Sequence, residues 1–208
     1  MTKEQLIDLI IDRLAGGDCP QELKGKYHPE IVSKHIGIAM NYLMQNIVVK
    51  EAERSGTSVY DAYTKTFKNI EVLFDSDRNE KYSVLPCSII VLPENRGVRM
   101  ISPMHDQKTN FVYRANNSVS IYGHLDVNFV SDRTRFYVEG STVFYDEHLS
   151  DDINKVLMKL IPEFDSLDDD DEVGIPSAYG KLIFDLVIQS MLGKPPEKMS
   201  NDNNANVI

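Results

Sequence analysis

The chain has 208 residues, 42% hydrophobic and 26% charged, which is ordinary globular usage and argues against disorder along its whole length. With 22 Lys and Arg against 32 Asp and Glu, its net charge is −10. A chain this acidic gains little from neutralising phosphates, which excludes nucleic acid as its main partner. Two cysteines, Cys19 and Cys87, fit neither a CxxC pair nor a zinc spacing, and no apolar run reaches the roughly 18 residues of a membrane span.

A helix is predicted over residues 2–15. Thr2 caps it, Gln5 completes a capping box, and Leu6, Ile7, Ile10, Ile11 and Leu14 form one apolar stripe. Gly16 and Gly17 end it. The start is amphipathic and unlike a signal peptide, so synthesis and retention in the cytoplasm are expected. A second, longer helix starts at Pro29 after His28 and runs to Gly56. Its apolar face is read as Ile31, Val32, Ile36, Ala39, Met40, Leu43, Met44, Ile47 and Val48. The two helices suit an αα-hairpin, and a short third helix is read up to Tyr63.

From about residue 67 the pattern changes to short β-branched and aromatic runs. Strands are predicted at 68–74, 82–92, 98–102, 119–122, 135–138, 142–145 and 155–161. Turn residues separate them, among them Asp75-Ser76-Asp77 and Glu139-Gly140-Ser141, the latter the turn of a hairpin. An acidic run follows from Asp165 to Glu172, then a helix over 176–192 with Leu182, Ile183, Leu186, Val187, Ser190 and Met191 on one side. The tail beyond Gly193, rich in asparagine, buries too little apolar surface to order itself.

The fold class expected is α+β: an N-terminal helical hairpin, a central antiparallel β domain, sandwich or barrel, then a C-terminal helix and extended tail. The segments are 1–64, helical; 65–164, β; 165–193, acidic linker and helix; and 194–208, flexible tail.

No phosphate loop, HExxH or nucleophile elbow is present. His28 and His35 lie seven apart, too far for a helical metal pair. His105 beside Asp106, and His124 near Asp126, are the histidines placed for general-base chemistry, but no nucleophile accompanies them. Asp168–Asp171 with Glu172 lacks the ligand order of a calcium loop and reads as a solvated linker whose charge favours a helix start. Cys87 reads as a buried, inert thiol. No catalytic residue, cofactor or metal is assigned.

Three stretches carry a resemblance. They are Tyr82-Ser-Val-Leu-Pro-Cys-Ser-Ile-Ile-Val-Leu-Pro-Glu-Asn-Arg-Gly-Val-Arg-Met-Ile-Ser-Pro-Met, Val156-Leu-Met-Lys-Leu-Ile-Pro, and Asp168-Asp-Asp-Asp-Glu-Val-Gly-Ile-Pro-Ser-Ala-Tyr with the helix after it. Together they resemble the ring, or adaptor, proteins in the tail barrel of crAss-like short-tailed phages. The resemblance implies a structural virion protein without an active site. It implies a homo-oligomeric, dodecameric ring stacked near the portal protein and other tail rings. Its channel would make transient contact with translocating DNA or cargo proteins, with no membrane involved. The tail residues Pro195, Pro196, Met199, Asn201, Val207 and Ile208 are the candidate subunit contacts. Two alternatives stand beside it: a non-packaged cytoplasmic assembly factor or binding module, and an enzyme using a His/Asp pair.

Overall fold

The computed structural model describes residues 1–16, 27–48, 50, 54, 63–92, 97–106, 108–114, 133–175 and 177–192. The chain is α+β. It divides into two compact units: one holds the described residues of Met1–Leu43 and Asp169–Ile208, the other those of Met44–Asp168. The C-terminal helix thus shares a unit with the N-terminal ones.

Among its described residues, the first unit packs three helices: α1 (Lys3–Leu14), α2 (Pro29–Leu43) and α3 (Ser177–Met191). Helix α2 lies against both others, and α1 also meets α3. Leu6, Ile7, Ile10 and Ile11 of α1 are buried, as are Val32, Ile36, Ala39, Met40 and Leu43 of α2 and Ile183 and Val187 of α3. The expected stripe of α1 is therefore its core face, with Leu14 half-buried. On α2, by contrast, Ile31 is exposed rather than part of the core.

The start of α1 shows why the acidic run lies where it does. The first turn of a helix leaves backbone N–H groups without intrahelical acceptors. Thr2 and Gln5 satisfy two of them in a capping box: the Gln5 amide donates to Thr2 Oγ1 at 3.3 Å, and the Thr2 amide to Gln5 Oε1 at 3.1 Å. The other two donate to the acidic run, Lys3 N–H to the Asp171 carbonyl at 3.0 Å and Glu4 N–H to the Asp169 carbonyl at 3.1 Å. A bridge between Thr2 and Glu172, and a bond from Val173 N–H to the Met1 carbonyl, continue the pairing. The run is thus a docked segment, and the helix start it serves is that of α1.

A π-helical turn, Met44–Val48, follows α2 directly. The continuation read to Gly56, the short third helix, the strand at 119–122 and the tail all fall outside the described residues, apart from Lys50, Arg54 and Tyr63.

Among its described residues, the second unit holds eight strands. β1 (Lys65–Glu71), β8 (Lys155–Leu160) and β4 (Val98–Pro103) form a 3-stranded antiparallel sheet in the order β1-β8-β4. β2 (Leu73–Asp75), β3 (Glu80–Val84), β7 (Thr142–Tyr145), β6 (Arg135–Glu139) and β5 (Val112–Tyr113) form a 5-stranded one in the order β2-β3-β7-β6-β5. The β5–β6 pair is parallel, so the β region is mixed and not purely antiparallel as expected. Both sheets contribute to one core: Val98, Ile101, Val156, Met158 and Leu160 from the first, and Phe136, Val143 and Tyr145 from the second.

Two expected strands differ in form. The run read as 68–74 is two strands in different sheets. Val72 separates them, its N–H bonded to the Asn154 carbonyl at 3.0 Å, and a bulge at Asn69 with φ 60° bends β1. The run read as 82–92 ends as a strand at Val84. Pro86, which has no N–H to give a ladder, takes the chain out of the sheet, and only Ile89 pairs again, in a bridge to Pro162. The β6–β7 hairpin is as expected, with Gly140 at φ 59° in its two-residue turn.

Candidate functional site

The histidines read as possible bases do not assemble a site. His105 is exposed; the Asp106 carboxylate accepts from the Thr109 hydroxyl and from Lys108 N–H at 3.0 Å. Those donors, the hydroxyl above all, hold Asp106 below the usual carboxylate range, with a smaller pull from His105. Ser150 does the same for Asp152. These are turn interactions on the surface. His28 is exposed at the start of α2, its carbonyl accepting from Ile31 and Val32 N–H. His124, Asp126 and Cys19 lie outside the described residues, and Cys87 is half-buried. Among the described residues, no three His, Cys, Asp or Glu side chains group as metal ligands. The six candidate contacts Pro195, Pro196, Met199, Asn201, Val207 and Ile208 also lie outside the described residues.

Two histidines have partners the sequence did not indicate. His35 Nδ1 lies 2.7 Å from Ser190 Oγ, linking α2 to α3. His148 Nδ1 lies 3.1 Å from Asp146 Oδ2. His148 lines a cleft of ≈ 590 Å³ with Arg78, Lys81, Arg114, Arg135 and four carboxylates, Glu80, Asp146, Glu147 and Asp151. The matched charges give an anionic ligand no net attraction. Lys81 is already committed, donating to Asp151 at 2.6 Å and to the Leu149 carbonyl at 2.9 Å.

The larger unassigned features are surfaces. Helix α2 carries three further apolar residues in line, Ile31, Ile38 and Tyr42, seven and four residues apart, with His35 between the first two. That spacing places them in one line along the helix. Ile31, Ile38 and Tyr42 are 51%, 62% and 47% exposed. Helix α2 therefore exposes three apolar side chains on a line broken by the half-buried His35, which is bonded to Ser190 of α3. The signal was legible. Residues 31–50 contain no Asp or Glu in a chain that holds 32, and Ile31, expected on the core face, stands with Ile38 and Tyr42 on the exposed one.

The second surface is the outer face of the 5-stranded sheet. Leu73, Tyr82, Phe144 and Tyr137 are direct partners in register across β2, β3, β7 and β6. Side chains on one strand alternate between faces, so this row lies opposite the core residues Val143 and Tyr145. Tyr137 stacks on Phe144 at 5.2 Å between ring centroids, and the Arg78 guanidinium sits 4.6 Å above the same ring. Arg78 also donates to Glu139 at 2.7 Å. The Tyr137 hydroxyl donates to Glu80 at 2.5 Å; burial first, then that carboxylate, push its pKa up to about 12. Leu73 and Val84, on the same face, are 41% and 51% exposed. The row is thus pre-ordered by stacking and ion pairing, yet open at its edges.

No helix among the described residues is long and apolar enough to cross a membrane. No protein-family model matches the chain, and no curated protein sequence matches it.

Proposed function

We propose that this protein is a structural subunit of a phage virion. In this reading it forms a homo-oligomeric ring in the portal-proximal tail barrel, lining the channel through which the genome and cargo proteins leave. Its work is assembly, not catalysis. The observation that carries the reading is the exposed stripe of α2, which adds to the resemblance noted above. Single exposed apolar residues are ordinary on any surface. Three exposed apolar side chains in line on one helix are less ordinary, and they support a chain that finishes burying itself against neighbours.

Mass spectrometry and cryo-electron microscopy of purified particles test this. Many copies per virion, arranged as a ring beside the portal, are expected. A protein abundant in infected cells but missing from particles overturns the reading in favour of a non-packaged assembly factor.

A further inference from the structure

The charges that line the cleft at His148 match in number but not in engagement. Lys81 is held by Asp151, Arg78 by Glu139, and Glu80 accepts from the Tyr137 hydroxyl. Asp146 accepts from Arg135 N–H at 3.0 Å and His148 N–H at 3.2 Å, and its other oxygen lies 3.1 Å from His148 Nδ1. Arg114, Arg135 and Glu147 are left over. Among the described residues their side chains form no hydrogen bond or ion pair.

Strand pairing makes the two arginines neighbours. In the parallel β5–β6 pair Val112 stands opposite Arg135, and Arg114 N–H donates to the Phe136 carbonyl at 2.8 Å. Arg114 and Arg135 therefore share the outer face on adjacent strands, one diagonal apart. Both are half-buried. A guanidinium cannot shed its charge, so surface taken from water costs free energy unless an acceptor replaces the water. Each planar fork can take a carboxylate through two parallel N–H bonds.

We infer that this cleft binds a small zwitterion with the chemistry of a free α-amino acid. The ligand's carboxylate sits on Arg114 and Arg135, and its ammonium group at Glu147. A simple anion finds no net attraction in the cleft. A simple cation finds one free carboxylate beside two guanidiniums. A ligand with both charges uses all three free groups and leaves the cleft as neutral as before. The volume of ≈ 590 Å³ is within the range of small-molecule sites. Phe74, 60% exposed, lines the same cleft and gives an apolar or aromatic side chain its contact. The inference does not depend on the ring-subunit reading.

The test titrates the full chain with L-phenylalanine and follows amide shifts by NMR. N-acetylphenylalanine, which lacks the ammonium charge, and phenylalaninamide, which lacks the carboxylate, serve as the single-charge arms. Phenylalanine is expected to bind with a Kd of about 1 mM, and each arm about tenfold more weakly. Arg114→Gln and Arg135→Gln should each weaken phenylalanine about tenfold. Both should melt like the wild type, because neither guanidinium holds another part of the chain. Glu147→Gln should close the gap between phenylalanine and its N-acetyl form.

Absence of phenylalanine binding at about 20 mM overturns the inference. So does N-acetylphenylalanine binding as tightly as phenylalanine, which makes the cleft a plain anion site. Wild-type affinity in both arginine variants overturns it as well, since the ligand then sits elsewhere.

Discussion

At the residue scale, the tightest geometric constraint is Gly97. A Cβ built there would lie 2.4 Å from the Ile90 carbonyl oxygen, a backbone atom that cannot swing aside. The approach is close because Gly97 and Ile90 both bond Ile161, one accepting from its N–H at 2.8 Å and the other donating to its carbonyl at 3.0 Å. Gly97→Ala should therefore destabilise the fold by about 1–3 kcal/mol, the usual scale for overpacking. A lower urea midpoint with an unchanged slope is the expected reading. Two tyrosines set a pH limit at the same scale. Burial raises the pKa of Tyr145, whose hydroxyl donates to Ser83 Oγ at 3.0 Å, and Tyr137 is pushed up to about 12. The unfolded chain ionises both near pH 10, so the folded state holds its protons longer. The stability this gives is complete below pH 10 and is lost as pH climbs through the folded values. Melting temperature should fall as pH climbs from about 10 to about 12, and fall less in Tyr137→Phe.

At the scale of elements, the cap of α1 separates side-chain roles from backbone roles. Thr2→Ala removes the side-chain acceptor for the Gln5 amide and should cost about 1 kcal/mol. Asp169→Ala should cost less than about 0.5 kcal/mol: its carbonyl caps Glu4, while its exposed carboxylate only reaches Lys3 at 4.0 Å. Chemical denaturation of the two variants side by side checks the ordering, and equal losses would contradict it. The capping box was legible because Thr2 and Gln5 are local in sequence. The docking of Asp169 and Asp171 on α1 was not, because it joins segments over 160 residues apart through backbone atoms that carry no residue-type signal. β5 is not legible in the sequence for a related reason. Two residues, Val112 and Tyr113, show no alternation, and their pairing to Arg135 and Phe136 is parallel and non-local. The split of β1 from β2 depends on Val72 finding Asn154, again a tertiary choice. For the candidate site, the periodicity that would reveal the second stripe of α2 was present. It was read as one broad face because an apolar residue counts the same toward either side until its neighbours are known.

At the scale of the whole molecule, the ring proposed above raises the question of which force would govern association. Each copy carries a net charge of −10, so like copies repel one another. Against this stand the exposed apolar residues of α2 and the aromatic row of the sheet. A lone exposed ion pair contributes at most about 1 kcal/mol, less than the summed repulsion it must oppose. In the ring proposed above, apolar burial must therefore supply the affinity. Salt discriminates between these roles, since the Debye length shrinks from about 10 Å at 0.1 M to about 3 Å at 1 M. Raising sodium chloride from about 0.05 M to about 0.5 M should increase the assembled fraction in sedimentation velocity, because it screens the repulsion and leaves burial untouched. Sodium sulfate at equal ionic strength should increase it further, because excluded anions strengthen apolar burial. Dissociation by salt would instead place ion pairs as the driving force and leave the stripe a minor contributor.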